Sequence, residues 1–519
     1  MKKAVKKRIS AGKVLCTGYL SLLGVMLPLT VHDAYFDITR TKAMAFWILS
    51  ALFLAAFAVW RVADRKAEPL RFRFSAPDVL FGVFALTHIL STLLFRPLPG
   101  GLWAEDNRYQ GIVSFALYLG VFLVLRRNGS LPPLVRYALG LGFSLAAALA
   151  VSEVFGADLL GLRAISPELE RARFFSTVGN ISFLGALCVL FLALAGALAV
   201  AAKTWTGGAV WGLVALAALC GGMSARTEGF LLGALGFFLL LPLFCREALL
   251  LRRVPLLWAC GAAAALLFSL LMKRWALYQM SSLGALVCSP AVLLVLCAVC
   301  AALWLVLRRC EDAALSRLRR IYGYVLGALA LLGLVLLVLA NTLWRDKLPA
   351  SLASVLVFSP SWGTDRGAEW MSFAQMFREA SLPQKLIGCG AGSLAEWDRA
   401  HRLFSDAVTD SAHNEYLHYL LTGGLLGLGS YLGLLVLALR KVFCEPSPTR
   451  TALGLAVGAY ALQAAVNIAQ PFTTPLFFPL LALLCADRDP GSGEATEGDL
   501  VWRVALAMLA GRLLLVAYF

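Results

Sequence analysis

The chain has 519 residues, 60% of them hydrophobic and 15% charged, with a mean hydropathy of +0.79. A soluble globular chain is nearer to about 45–50% apolar and about 25% charged, so the composition excludes a soluble enzyme and indicates a polytopic membrane protein. The net charge of +16 fits Lys and Arg gathered on cytoplasmic loops better than a nucleic-acid surface, and no nucleic-acid partner is expected.

Apolar runs of about 18 residues or more match the thickness of a hydrocarbon core. In chain order they fall near 14–31, 43–60, 78–95, 111–125, 134–154, 180–201, 207–223, 229–245, 254–272, 287–307, 321–341, 415–439, 451–469 and 471–486, with a last run at 501–519 that either spans or lies at the interface. The first run follows a basic segment without a small-residue cleavage site, which reads as a retained span and not a removed signal peptide. The expected fold is therefore an all-α polytopic integral membrane protein of about 14 transmembrane helices (12–15) with one long external loop. Three regions follow: an N-terminal transmembrane bundle (1–341), a large extracytoplasmic loop (342–412) and a C-terminal transmembrane region (413–519).

With the N-terminus inside, the cytoplasmic loops hold 28 Lys and Arg and the opposite short loops 10. That bias is the one that orients membrane proteins. It puts three features on the outside: the insert at Met223–Gly229, the long loop, and His413. Within the loop, residues 370–377 show apolar spacing of helical period and predict an amphipathic helix ended by Pro383. Gly388, Gly390 and Gly392 read as a tight turn and not as a nucleotide loop, because no βαβ unit surrounds them. The twelve cysteines lie mostly within apolar runs and show no paired spacing, so neither a disulfide framework nor a metal site is expected.

Few polar side chains are left to carry chemistry. Arg226 stands between two apolar runs, where snorkelling or pairing with Glu228 competes with a functional role. Arg366 precedes the amphipathic helix, and a solvated arginine beside Asp365 is its plain alternative. Either guanidinium offers the forked donors that suit a diphosphate. His413 and Asn414 open the span that begins near 415. A neutral imidazole there is placed to accept a hydroxyl proton, or to serve as a structural cap. His413 and His418 are five residues apart, not the four that a zinc-binding helix face requires. Asp410, Ser411 and His413 lie too close in sequence for a hydrolase triad.

Taken in order, the set resembles the O-antigen ligase and O-antigen polymerase-like membrane proteins. Its parts are an external Ser-x-Arg insert at Ser224–Arg226, an Arg-x-x-x-Trp at Arg366–Trp370, the glycine turn, and His413-Asn414 opening a span with Gly-Gly-Leu-Leu-Gly. The strongest likeness runs from about 366 to 429; the segments at 107–111 and 177–180 resemble the N-terminal half of that family, and Leu394 stands where an aromatic is usual. The resemblance implies a metal- and cofactor-independent inverting glycosyltransferase of the bacterial cytoplasmic (inner) membrane, N-terminus inside and active site outside. Its donor would be a polyprenyl diphosphate-linked glycan, and its acceptor a glycan, lipid or wall polymer. By resemblance, Arg226 and Arg366 fall on diphosphate-holding positions and His413 on the acceptor-assisting one; Arg108, Asn414 and Trp370 are expected to bind substrate. A flippase or polysaccharide transporter is the rival reading. It is disfavoured because the span interiors are nearly free of charge.

Overall fold

In the computed structural model, residues 11–64, 74–166, 168, 171–363, 366–401, 408–492 and 499–518 are described. Nearly every apolar run becomes a helix. The first six are α1 (Ala11–Leu29), α2 (Ile38–Ala63), α3 (Ala76–Phe95), the short α4 (Leu98–Trp103), α5 (Ile112–Asn128) and α6 (Pro133–Val154). A two-stranded hairpin, β1 (Phe174–Phe175) with β2 (Gly179–Asn180), leads into α7 (Ile181–Ala201). Then come α8 (Trp205–Ala225), α9 (Glu228–Phe244), α10 (Ala248–Trp275), the short α11 (Ser282–Val287), α12 (Pro290–Leu307) and α13 (Asp312–Asn341).

Four short helices fill the segment expected to be the loop: α14 (Ala350–Leu356), α15 (Arg366–Glu379), α16 (Leu382–Ile387) and α17 (Ser393–His401). The chain re-enters the bundle with α18 (Glu415–Cys444), followed by α19 (Pro448–Ala464), α20 (Thr474–Leu484) and α21 (Asp499–Tyr518).

The expected count of 14 spans is not confirmed. Among the described residues, ten helices are long and apolar enough to cross a membrane, or eleven if the bent pair at 98–128 is one span. The reason lies in length: α9, α19 and α20 occupy expected spans but have 17, 17 and 11 residues, short of the roughly 20 that a bilayer asks of a straight helix. The bent pair turns by 80° between Asn107 and Ile112, where Arg108 and Tyr109 both adopt left-handed backbone.

The core forms around α7, which is apolar on all sides and almost wholly buried, as a helix without a polar face must be. It packs most closely on α8 and α19. By contrast α12 and α13 leave most of their apolar surface uncovered, as lipid-facing helices do. Within 342–412 the described residues form four short helices, and the helix expected at 370–377 lies inside α15. Pro383 is also reassigned: α15 ends at Glu379, and Pro383 stands in the first turn of α16 behind the N-cap Ser381, where its missing N–H costs nothing.

Candidate functional site

The site is built at the mouth of α18. Asn414 caps that helix, its Oδ1 accepting from the backbone N–H groups of Tyr416 (3.0 Å) and Leu417 (3.1 Å). Such a cap satisfies donors that otherwise have no partner in the first turn. It fixes His413 in a left-handed conformation (φ 45°) just outside the helix, half-exposed. The His413 Nδ1 lies 3.0 Å from Glu369 Oε2. Glu369 is largely buried (side chain 10% exposed) and belongs to α15, one turn after Arg366. The next residue, Trp370, donates its indole N–H to the Ala412 carbonyl at 2.8 Å. One turn of α15 therefore holds the backbone before His413 and the ring of His413 itself.

Glu369 was not among the residues singled out from the sequence. Its signal was faint: an acid three positions after Arg366 in an amphipathic helix, where a solvated ion pair is the ordinary expectation. Asp410, closer in sequence to His413, does something else. Both its oxygens accept from Arg108, Nε to Oδ2 at 2.8 Å and Nη2 to Oδ1 at 2.7 Å. This bidentate pair ties the bend between α4 and α5 to the segment leading into His413.

Arg366, the first residue of α15, donates to the Val466 carbonyl at 3.1 Å. Its neighbour Asp365 lies outside the described residues. Adjacent to Val466, Asn467 donates to the Ser182 carbonyl in the first turn of α7, and Phe183 in that turn lies 5.7 Å from the Arg108 guanidinium. Thr227 faces the same turn, its hydroxyl filling the space beside Gly185. Arg226 caps the end of α8 immediately before Thr227, in left-handed backbone (φ 58°). Among the described residues, Arg108 is the one of these three arginines with a side-chain contact in the first turn of α7; Arg366 bonds to the segment before Asn467, and it is Thr227, not Arg226, that touches α7.

Arg226 does not pair with Glu228. Its Nη2 donates to the Ala172 carbonyl (2.5 Å) and its Nε to Ser224 (3.3 Å), while the guanidinium lies 5.4 Å from the Phe175 ring and 5.0 Å from Tyr278. Arg163 approaches the same two rings at 5.0 and 5.4 Å and donates to the Tyr278 hydroxyl at 2.9 Å. Burial pushes the Arg226 guanidinium below its ordinary value, yet an arginine remains charged throughout the physiological range. A half-desolvated cation held by carbonyls and aromatic faces, with a second cation nearby, is a setting that attracts an anion.

The glycine turn locks this assembly to the bundle. Gly388, Gly390 and Gly392 all have positive φ. The N–H groups of Cys389 and Gly390 donate to the Leu421 and Thr422 carbonyls (2.7 and 3.2 Å), and Ala391 N–H donates to Thr92 Oγ1. The α18 backbone opens to receive them: Gly424 departs from helical geometry (φ 72°, ψ −174°). His418 is buried within the bundle, and among the described residues no group of three or more His, Cys, Asp or Glu is placed to hold a metal ion.

Residues 280–432 match the family described as O-Antigen ligase. Over that stretch the chain is similar to O-antigen ligases. The matched stretch contains Arg366, Glu369, Trp370, His413 and Asn414, and ends before α19; Arg108, Arg163 and Arg226 lie outside it. No curated protein matches the chain. Together with the ten apolar helices, the match describes a multi-pass membrane protein with an O-antigen ligase-like region around the mouth of α18.

Proposed function

We propose that this chain is a glycosyltransferase that moves a glycan from a polyprenyl diphosphate carrier to an acceptor hydroxyl, at the outer face of a bacterial cytoplasmic membrane, in surface polysaccharide assembly. The observation that carries the reading is the shared turn of α15, which presents Arg366 at one end and holds His413 through Glu369 at the other. An Nδ1–H donated to Glu369 leaves Nε2 as the basic nitrogen of the neutral ring.

In this scheme the acceptor oxygen attacks the anomeric carbon while the bond from that carbon to the diphosphate oxygen breaks. The acceptor proton passes to His413 Nε2, and a single displacement inverts the configuration. Charge accumulates on the departing diphosphate, where Arg226 and Arg366 stabilise it more than in the ground state. Neither metal nor nucleotide enters the reaction. Arg108 holds Asp410 and with it the segment carrying His413; contact with the carrier phosphates would require it to release that carboxylate. The charge bias of the loops supports an external site.

The test is a transfer assay with purified protein in detergent, a polyprenyl diphosphate oligosaccharide, and neither metal nor nucleotide. The expected result is release of polyprenyl diphosphate coupled to glycan transfer: to a longer carrier-bound chain for a polymerase, to a different acceptor for a ligase. A glycan that never leaves its carrier, yet crosses the bilayer of a proteoliposome, would replace this reading with that of a flippase.

A further inference from the structure

Three aromatic rings stand beside the proposed reaction centre without a part in the scheme above. Phe358, Trp362 and Trp370 form a cluster with ring centroids 6.0 Å (Phe358–Trp362), 6.1 Å (Phe358–Trp370) and 5.3 Å (Trp362–Trp370) apart. All three are half-buried. Their indole N–H groups are already satisfied: Trp362 donates to the Val355 carbonyl at 2.8 Å, and Trp370 to Ala412 at 2.8 Å. The rings are thereby held in place without needing a polar partner from outside.

Their surroundings are chemically mixed. The hydroxyls of Ser359 and Ser361, 3.3 Å apart, are exposed beside the cluster. Gly363 turns the chain with φ 63°, and the aliphatic part of Arg366 packs against it. Ala412, which anchors Trp370, is the residue immediately before His413. Rigid aromatic faces, flanked by hydroxyls and linked through Trp370 to the residue before the proposed acceptor base, suit a ligand that is apolar on one face and hydroxylated at its rim. A pyranose ring has that construction, since its axial C–H bonds meet the electron-rich face of an aromatic while its hydroxyls point outward.

The geometry points to Phe358, Trp362 and Trp370 as a stacking platform for a saccharide ring of the acceptor. The inference rests on the glycosyltransfer reading for the word acceptor, but saccharide binding itself does not. The chief competitor is an interfacial aromatic anchor resting on lipid headgroups. The location argues against it: Trp370 is spent on the backbone of the His413 segment instead of pointing its N–H to the headgroup layer.

The test uses wild type, Trp362→Phe and Trp362→Ala in nanodiscs without donor. The probes are methyl glycosides of hexoses and N-acetylhexosamines and their short oligomers, read by saturation-transfer NMR. Wild type is expected to transfer saturation to ring C–H protons, Trp362→Phe to retain most of the signal, and Trp362→Ala to lose it. In the transfer assay Trp362→Ala should raise KM for the acceptor about ten-fold, the scale of one lost aromatic stack, with KM for the donor unchanged. Saccharide binding indifferent to Trp362→Ala, or lost equally in both variants, overturns the platform. A Trp362→Ala protein that binds sugar normally but inserts poorly into membranes identifies the anchor instead. Wild type that binds sugar in a Trp362-dependent way but never performs transfer sinks the reading of the reaction and leaves the platform standing.

Discussion

At the contact between Glu369 and His413 a carboxylate acceptor favours the tautomer with the proton on Nδ1, and this is where residue-scale predictions are sharpest. The 3.0 Å contact makes the carboxylate a positioning residue: it acts on the ring, not on substrate. Replacing His413 by Ala is expected to lower kcat by about 10²–10⁴-fold, the usual reach of a general base. Glu369→Ala should fall by a comparable factor, whereas Glu369→Gln, which still offers an acceptor oxygen to Nδ1–H, should retain more activity than Glu369→Ala. Arg226→Ala and Arg366→Ala should each cost about 10²–10³-fold, as removal of one charge-stabilising donor group does, with membrane insertion unchanged. These values come from initial rates of polyprenyl diphosphate release. Equal rates for wild type, Glu369→Ala and Glu369→Gln would dismiss the positioning role; full activity in the His413, Arg226 and Arg366 alanine variants together would dismiss the mechanism.

At the scale of elements, the glycine turn and the kink of α18 form one interlock. A Cβ on Gly388 would stand 2.1 Å from the Thr422 carbonyl oxygen, and one on Gly424 would stand 2.4 Å from the Leu386 carbonyl group. Both glycines also have positive φ, so an added methyl meets backbone that cannot rotate away. Gly388→Ala should destabilise the protein by about 1–3 kcal/mol and loosen the segment from α16 to α17. A control at Gly429, whose Cβ would meet nothing within 4 Å, should stay near wild type. The readout is thermal unfolding in detergent, with proteolysis between residues 380 and 410 as the local probe; equal midpoints for the two variants would mean the turn is not locked.

The same elements explain what could be read from sequence. The helical runs were legible because apolar length is a property of contiguous residues. The helix mouth at His413 and Asn414 was legible because a polar tetrad before an apolar run has a characteristic look, but the cap was expected of His413 and is made by Asn414, a residue expected to bind substrate. Glu369, Arg163 and the bidentate Arg108–Asp410 pair were not, since each acquires its partner from a distant part of the chain: 44, 115 and 302 residues away in His413, Tyr278 and Asp410 respectively. Pro383 misled because the residue that stops one helix also suits the first turn of the next.

At the scale of the molecule, one set of helix ends is pinned by charge. Asp78 in the first turn of α3 is inaccessible, and its oxygens accept from Arg126 Nε (2.6 Å) and Nη2 (2.7 Å) at the end of α5, with Arg127 a third partner at 3.2 Å. Arg126 also reaches Asp487 just past α20 at 2.9 Å. These ends lie at the opposite termini of α3 and α5 from Arg96 and Arg108, hence across the bundle from the site. A buried ion pair contributes little net stability, but removing one partner strands the other. Asp78→Ala leaves Arg126 with the largely exposed Asp487 (side chain 70% exposed) as its remaining acid, so the loss should be about 3 kcal/mol, at the low end for a broken buried pair. Asp78→Ala with Arg126→Met removes both charges and should recover part of that loss, because no uncompensated cation remains. The double-mutant cycle is read from unfolding midpoints in detergent. Losses that simply add would mean that the two side chains act separately. Recovery in the double variant, with transfer activity near wild type, would show a structural clasp energetically separate from the chemistry at the far end of the same helices.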